Sequence, residues 1–145
     1  MPTSFSEKNN ASRERLVRLV DGISEQDLKK ETSAGWTVSA ILAHLAFWDQ
    51  RALVLLRRWK QDGVNPSPVD PDAINDAVKM ICLAIPPRKA VELCLSAAKS
   101  IDAEIEQLSA ETIKEIEAKS TNFRLNRGTH RNEHIDELDA ILLIK

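Results

Sequence analysis

Apolar residues recur at steps of three and four along most of this chain, which is the spacing of one face of an α-helix. The longest such run lies between Thr37 and Gly63, and Thr37 is a good N-cap for it. Its apolar stripe consists of Ile41, Leu45, Trp48, Ala52, Leu55, Leu56 and Trp59. The pattern predicts a long helix between these two residues, with the stripe facing a core.

Similar patterns predict helices on either side of this run. A first helix is expected over residues 4–21, with Gly22 as its stop, and the short stretch "SEQDL" follows as a brief helical segment. After Gly63 the stretch "NPSPVDP" forms the longest predicted connection, and Asp70 with Pro71 starts another helix. The pair Pro86 and Pro87 interrupts that helix, because proline lacks the amide hydrogen that a helix interior needs.

The second half of the chain continues in the same way. A heptad-like seam steps by three and four through Val91, Cys94, Ala98, Ile101, Ile105 and Leu108. A looser, charged helical segment, "SAETIKEIEAKS", comes next, and a last helix is predicted from near Thr129. Four principal helices and no convincing strand predict an all-α protein, a four-helix bundle with one long connection. No internal boundary is evident, so residues 1–145 are expected to form a single domain.

Composition narrows the class of partner. The 145 residues carry a net charge of -2 with 4% aromatic residues, so neither a basic surface nor a base-stacking surface for nucleic acid is expected. Charges interrupt the apolar stretches before the roughly 20 residues that a membrane span needs. The first residues, "MPTSFSEKNNASRERL", have no apolar core like that of a signal peptide. We therefore expect a cytoplasmic protein with no membrane partner, in which Cys82 and Cys94 are buried hydrophobes.

The chain has three histidines, and helical geometry turns all of them inward. At about 100° per residue, His44 lies at the flank of the apolar stripe of its helix. His130 and His134 lie one turn apart on the side of the last helix that carries Leu138 and Ile141. Imidazoles four residues apart can chelate one divalent metal, and a third from another helix would leave a position open for water. The alternative is that the three histidines are hydrogen-bonded core residues.

Three further residues near the histidines allow two interpretations each. Trp48 lies one turn after His44, where it either walls a pocket beside the metal or is simply part of the core. Arg51 lies on the same side of the helix, where it either binds an anionic carboxylate of a substrate or extends to solvent. Glu133 neighbours His134 in sequence but projects elsewhere, as a solvated residue rather than a fourth ligand.

The stretches "GWTVSAILAHLAFWDQRAL" and "THRNEHIDEL" resemble the DinB-like superfamily, which includes thiol-dependent maleylpyruvate isomerases and bacillithiol S-transferases. The likeness extends from the first helix to the last and includes Trp36, the "FWD" after His44 and the region of Asn75. It implies a four-helix bundle that binds a divalent metal, commonly zinc or nickel, through three histidines. One of these comes from the second helix and two from an HxxxH on the last, which are His44, His130 and His134 here.

The resemblance implies a metal-dependent enzyme that acts on a small electrophilic substrate. The nucleophile would be a low-molecular-weight thiol or a water, giving thiol S-transfer or hydrolysis, and a homodimer is also compatible with the family. Two alternatives stay open at the level of sequence. In the first, the protein binds a metal or a small ligand without turnover, as a stress protein. In the second, it is a helical interaction module whose histidines are structural.

Overall fold

The computed structural model describes residues 4–32, 34–119 and 121–142. Its helices are α1 (Ser4–Val20), α2 (Glu25–Leu28), α3 (Val38–Asp62), α4 (Pro71–Ala84), α5 (Pro87–Glu106), α6 (Ala110–Ala118) and α7 (Gly128–Leu142). No β-strand occurs within these ranges, where the only extended pairing is an isolated bridge between Glu31 and Thr37. The predicted all-α class is confirmed.

The helix ends follow the local signals in the sequence. The side-chain oxygen of Thr37 accepts a hydrogen bond of 3.1 Å from the Ala40 amide, which caps α3 as predicted. Asp70 caps α4 in the same way, accepting a bond of 3.2 Å from the amide of Ala73. The proline pair at 86 and 87 separates α4 from α5. These boundaries therefore follow from local signals in the sequence.

The connections between helices differ from the prediction. The sequence indicated one long connection, whereas segments 29–37, 63–70 and 119–127 are of similar length. The last of these passes through Asn122 in the left-handed region, at a φ of 58°. Leu125 is buried in a core cluster that also contains Leu56, Trp59 and Ile105, and Phe123 packs against this cluster. Burial of these side chains holds the segment in its non-helical path, which agrees with the predicted start of the last helix near Thr129.

The four long helices, α1, α3, α5 and α7, contact one another around the core. Helix α3 packs against α5 and also touches α7, while α1 packs against both α5 and α7. One cluster of buried residues draws on all four helices, and it includes Leu16, Leu42, Leu45, Ala98, Ile135 and Leu138. Each helix thus buries one stripe, as its apolar spacing predicted.

A glycine sets how closely α7 approaches α1. A Cβ atom added at Gly128 would lie 3.1 Å from the backbone oxygen of Lys8, closer than most carbon contacts allow. Because that neighbour is backbone, it cannot move aside as a flexible side chain would. Gly128 therefore lets the first turn of α7, which carries His130, begin against α1.

Helix α3 is long and apolar enough, by length and composition, to cross a membrane, with a mean hydropathy of 1.2 over its most apolar stretch. Yet 72% of that stretch is buried within the fold, as in the central helix of a packed core.

Both cysteines are also buried, as predicted. Burial raises the pKa of Cys94 to about 12, with the charge of Asp49 adding to the effect, so this thiol is a poor nucleophile.

Candidate metal centre

The structure brings the three histidines together from two helices. The ring centroids of His44 and His130 are 5.2 Å apart, those of His44 and His134 are 5.1 Å apart, and those of His130 and His134 are 4.8 Å apart. One nitrogen from each ring lies within 4.8 Å of the other two, which makes a group that could hold a metal ion. His44 is buried and the other two are half-buried. The inward orientation predicted for all three is confirmed.

Neighbouring groups hold the histidines in place. The edge of the Trp36 ring contacts His44, with 5.4 Å between the ring centroids. At the start of α7, the Asn126 side chain accepts a hydrogen bond from the Gly128 amide, and the Asn9 side chain accepts one from the Arg127 amide. These bonds satisfy amides that a helix N-terminus leaves unpaired, so the turn that carries His130 is well anchored.

The spacing of the nitrogens fits a bound ion. The Nε2 atoms of His130 and His134 are 3.2 Å apart. Two nitrogens bound to one tetrahedral zinc, each at about 2.0–2.1 Å, would lie about 3.3 Å from each other. The Nδ1 atom of His44 is buried without a hydrogen-bond partner. A buried polar atom in that state costs free energy unless a ligand or another group completes it. Imidazole donors suit several divalent transition metals.

Two of the rings are poor bases in the folded protein. Burial, followed by repulsion from His134, lowers the pKa of His44 to about 4. Burial also lowers the pKa of His130 to about 3, helped by His134, His44 and the nearby arginines. Both imidazoles are therefore neutral at neutral pH, which leaves a nitrogen lone pair free on each ring. Neutral imidazole is the form that binds a metal.

These pKa values predict how the metal-free protein responds to acid. Because both lie below the ordinary value of 6.5, the unfolded chain binds protons that the folded chain excludes. The stabilisation is complete above the unfolded pKa and is lost as the pH falls toward the folded values. The free energy of unfolding should drop by up to about 1.4 kcal/mol per pH unit for each of the two rings. Urea denaturation in EDTA between about pH 7 and pH 5 measures this slope.

The control for that experiment is the double variant His44→Gln, His130→Gln. It lacks both titrating rings, so its stability should depend much less on pH over the same range. An equal slope in the two proteins would contradict the prediction, since the acid sensitivity would then come from other groups.

Two glutamates lie near the cluster, and neither completes it. Glu133 is exposed to solvent, as predicted for a solvated residue. Glu137 was not singled out from the sequence, and its Oε1 atom lies 3.7 Å from Nδ1 of His134. That distance is too long for a hydrogen bond, but the carboxylate is placed to orient this ring with a small movement.

A cavity of about 740 Å³ lies beside the histidines, and His130 is one of the residues that line it. Trp48 and Arg51 both line the same cavity, and the binding roles predicted for them stay predictions. Trp48 is half-buried and donates a hydrogen bond of 2.9 Å to the side-chain oxygen of Asn75. Arg51 is half-buried too, and it donates a bond of 2.8 Å to the backbone oxygen of Ser67 instead of extending to solvent.

Next to His130 lies a buried ionic network that was not predicted from the sequence. Arg131 is 1% exposed and makes a two-pronged contact with Asp102, with distances of 2.8 Å and 2.9 Å. Its Nη2 atom also reaches Asp49 at 3.2 Å. Arg13 pairs with Asp102 and Arg127 pairs with Asp49. The network joins α1, α3, α5 and α7 directly beside His130.

Helical spacing could have revealed this network. Asp49 lies four residues after the buried Leu45, Asp102 four after the buried Ala98, and Arg131 four before the buried Ile135. Each charge therefore occupies a core position of its own helix. Charged side chains are almost never fully buried unless they are paired, so three such positions indicate a shared internal ion pair.

The chain thus combines an all-helical fold with three converging histidines that could hold a metal ion. A family model described as the DinB superfamily matches residues 9–140. The chain belongs to the DinB superfamily, which confirms the resemblance found in the sequence. No curated protein and no solved structure gives a significant match to the chain.

Proposed function

We propose that this chain is a metal-dependent enzyme that holds a divalent transition metal, zinc or nickel, through His44, His130 and His134. Its substrate would be a small electrophilic molecule bound in the adjoining cavity. The convergence of three histidine nitrogens within 4.8 Å of one another supports this proposal most directly. Membership of the superfamily adds to it, because DinB-like proteins bind metals.

The chemistry proposed for the site is the chemistry that the resemblance to the DinB-like superfamily implies. A bound divalent ion with a position left open would supply Lewis acidity, lowering the pKa of a thiol or a water placed there. Such a nucleophile would form a bond from its sulfur or oxygen to the electrophilic carbon of the substrate. The leaving group would depart with the bonding electrons, and the proton of the nucleophile would pass to solvent. The products are those of thiol S-transfer or hydrolysis.

The protein's own side chains would position the reactants. Trp48 and Phe123 line the cavity and exclude water from part of it, while His130 lies where the cavity meets the cluster. The burial of the charged network around Arg131 keeps the first turn of α7 rigid, so the two histidines of that helix stay aligned. We propose that α1, α3, α5 and α7 form a four-helix bundle, with the site between α3 and α7.

Cobalt substitution tests whether the site keeps an open position. Titration of the cobalt-loaded protein with 2-mercaptoethanol should produce a sulfur-to-metal charge-transfer band in the absorption spectrum. His44→Ala should weaken or erase that band while the chain stays helical. The reason is that His44 supplies the third ligand from a different helix, and without it the metal is poorly held. Gln50→Ala is the matched control, since this residue is exposed on the same helix.

A titration without any thiol-dependent change would argue against the open site and favour a closed, structural or storage role. Turnover is tested separately, by following the reaction of 2-mercaptoethanol with an activated aryl halide in the presence of the metal-loaded protein. A thiol band without faster thioether formation would favour the second candidate function.

That second candidate is a protein that binds a metal or small ligand without turnover, for example in a stress response. One observation favours it: among the described residues, no aspartate, glutamate or cysteine lines the cavity as a general base or nucleophile. A helical interaction module with structural histidines is the third candidate, since the 3.2 Å contact between His130 and His134 also suits a hydrogen bond between neutral rings. A single domain, a cytoplasmic location, a small-molecule partner rather than nucleic acid or membrane, and a homodimer all stay predictions.

A further inference from the structure

The cavity beside the histidines carries positive charge. Arg51, Arg124 and Arg127 all line it, from α3 and from the segment before α7. No aspartate or glutamate contributes to its walls within the described ranges of the chain. A cavity lined by one sign of charge concentrates ligands of the opposite sign.

The three arginines are not equally available. Arg127 is paired with Asp49 at 3.1 Å, and its guanidinium also donates to backbone oxygens of Arg124 and Trp48. By contrast, no carboxylate in the described part of the chain forms an ion pair with Arg51 or Arg124. Two positive charges at the cavity therefore lack a counter-charge from the protein.

Arg51 is the better ordered of these two residues. Its Nη2 atom donates to the backbone oxygen of Ser67, and its guanidinium carbon lies 5.9 Å from the centre of the Trp48 ring. These contacts fix the guanidinium while leaving Nη1 and Nε without a hydrogen-bond partner among the described residues. Burial, and then repulsion from Arg127, lowers the pKa of Arg51, as expected for a cation that no anion yet compensates. Arg124 is exposed and faces the same space from the other wall.

Part of the rest of the lining is apolar, and polar groups come from Ser67, Asn75, Thr121, Asn122 and His130. Besides Trp48, the walls include Ala52, Leu55, Pro68, Val69 and Phe123. A free inorganic ion would leave these surfaces wet, whereas a molecule with an apolar body would cover them. The cavity volume of about 740 Å³ falls within the range of pockets for small organic ligands.

We propose that the cavity binds small organic oxyanions with an apolar body, and that the guanidinium of Arg51 holds the oxyanion with assistance from Arg124. This inference rests on the proposed function, since it names the substrate class of the same site. The planar guanidinium suits the two oxygens of a carboxylate and also those of a phosphate ester. The apolar body would lie against Trp48 and Phe123, with the anion held within reach of His130.

Binding to the metal-free protein tests the proposal apart from any metal. Phenylacetate and phenyl phosphate are titrated into EDTA-treated protein by calorimetry, with neutral phenylacetamide as the matched uncharged probe. At least one of the two anions should bind, and phenylacetamide should bind much more weakly. Arg51→Gln should weaken binding of the anion by about 10- to 100-fold, the usual value of a hydrogen bond to a charged group. Arg124→Gln should have a smaller effect, because that side chain is exposed.

Arg58→Gln is the control variant, since this arginine is exposed on the same helix and does not line the cavity. It should bind the anions as the unchanged protein does. Arg51→Lys keeps the positive charge but loses the planar guanidinium. Its affinity for the anions should therefore lie between those of the unchanged protein and Arg51→Gln. Circular dichroism checks that each variant remains folded.

Two kinds of result would overturn the proposal. In the first, phenylacetamide binds as tightly as phenylacetate, or Arg51→Gln binds the anions normally. In the second, anions bind only to zinc-loaded protein and this binding is lost in His134→Ala, which would place the anion on the metal. If the protein retained no metal at all, the proposed metal-dependent function would be wrong. Binding of the anions in EDTA that depends on Arg51 would still support this inference.

Discussion

Replacing both His130 and His134 with alanine should reduce the metal content of the purified protein from about one ion per chain to nearly none. The two nitrogens are 3.2 Å apart and supply two of the three donors. His44 alone cannot hold a divalent ion against water and buffer. Elemental analysis of protein purified without a histidine tag or a chelating column measures the content directly.

Glu133→Ala is the matched control for this experiment. Glu133 lies between the two histidines in sequence but is exposed, so its removal should leave the metal content unchanged. The melting temperature gives a second readout, because an ion that binds only the folded chain stabilises it by mass action. Added zinc should raise the melting temperature of the unchanged protein and of Glu133→Ala, but not of the double variant. Stoichiometric metal in the double variant would sink the three-histidine site.

Arg131→Met should lower the free energy of unfolding by about 3–5 kcal/mol, the usual effect of removing one partner from a buried ion pair. Asp102 and Asp49 are 1% and 4% exposed, so the loss of Arg131 leaves two buried carboxylates that keep only Arg13 and Arg127, respectively, as charged partners. Such a loss is a large share of the 5–15 kcal/mol that stabilises a typical domain. Urea denaturation at neutral pH measures it.

A surface arginine provides the comparison. Arg15 pairs with Asp136 and Asp139, which are largely exposed, so Arg15→Met should cost no more than about 1 kcal/mol. Adding Asp102→Asn to Arg131→Met should recover part of the lost stability, because it removes the buried carboxylate that has lost its two-pronged contact with Arg131. If Arg131→Met were no more destabilising than Arg15→Met, the network would contribute little to stability and its role beside His130 would have to be reconsidered.

Much of the fold could be predicted because helix signals are local. Thr37 and Asp70 cap their helices with their own side chains, and the proline pair at 86 and 87 stops one helix and starts the next. The same locality places His130 and His134 one turn apart, since four residues make about one turn of any α-helix. These features need no knowledge of the rest of the chain.

The segment before α7 shows where local reasoning stops. Residues 121–127 include Asn122 and Asn126, which are typical turn residues, but their sequence does not show that they form a wall of the cavity. Leu125 and Phe123 pack against residues of distant helices, and Asn9 of α1 accepts a hydrogen bond from the amide of Arg127. The path of this segment depends on partners more than a hundred residues away, so no window of sequence contains it.

By itself, then, the sequence determined the helices, the inward direction of the three histidines and the burial of the two cysteines. Each of these follows from backbone periodicity and from the free energy of burying apolar surface. Helical spacing indicates that Asp49, Asp102 and Arg131 are buried and paired, and the tertiary structure shows how they meet as one network. Only the tertiary structure decided that Arg51 and Arg124 face the same cavity as His130. Contacts of this kind depend on the distance and dielectric between side chains on different helices, which the packing of those helices sets and sequence spacing does not.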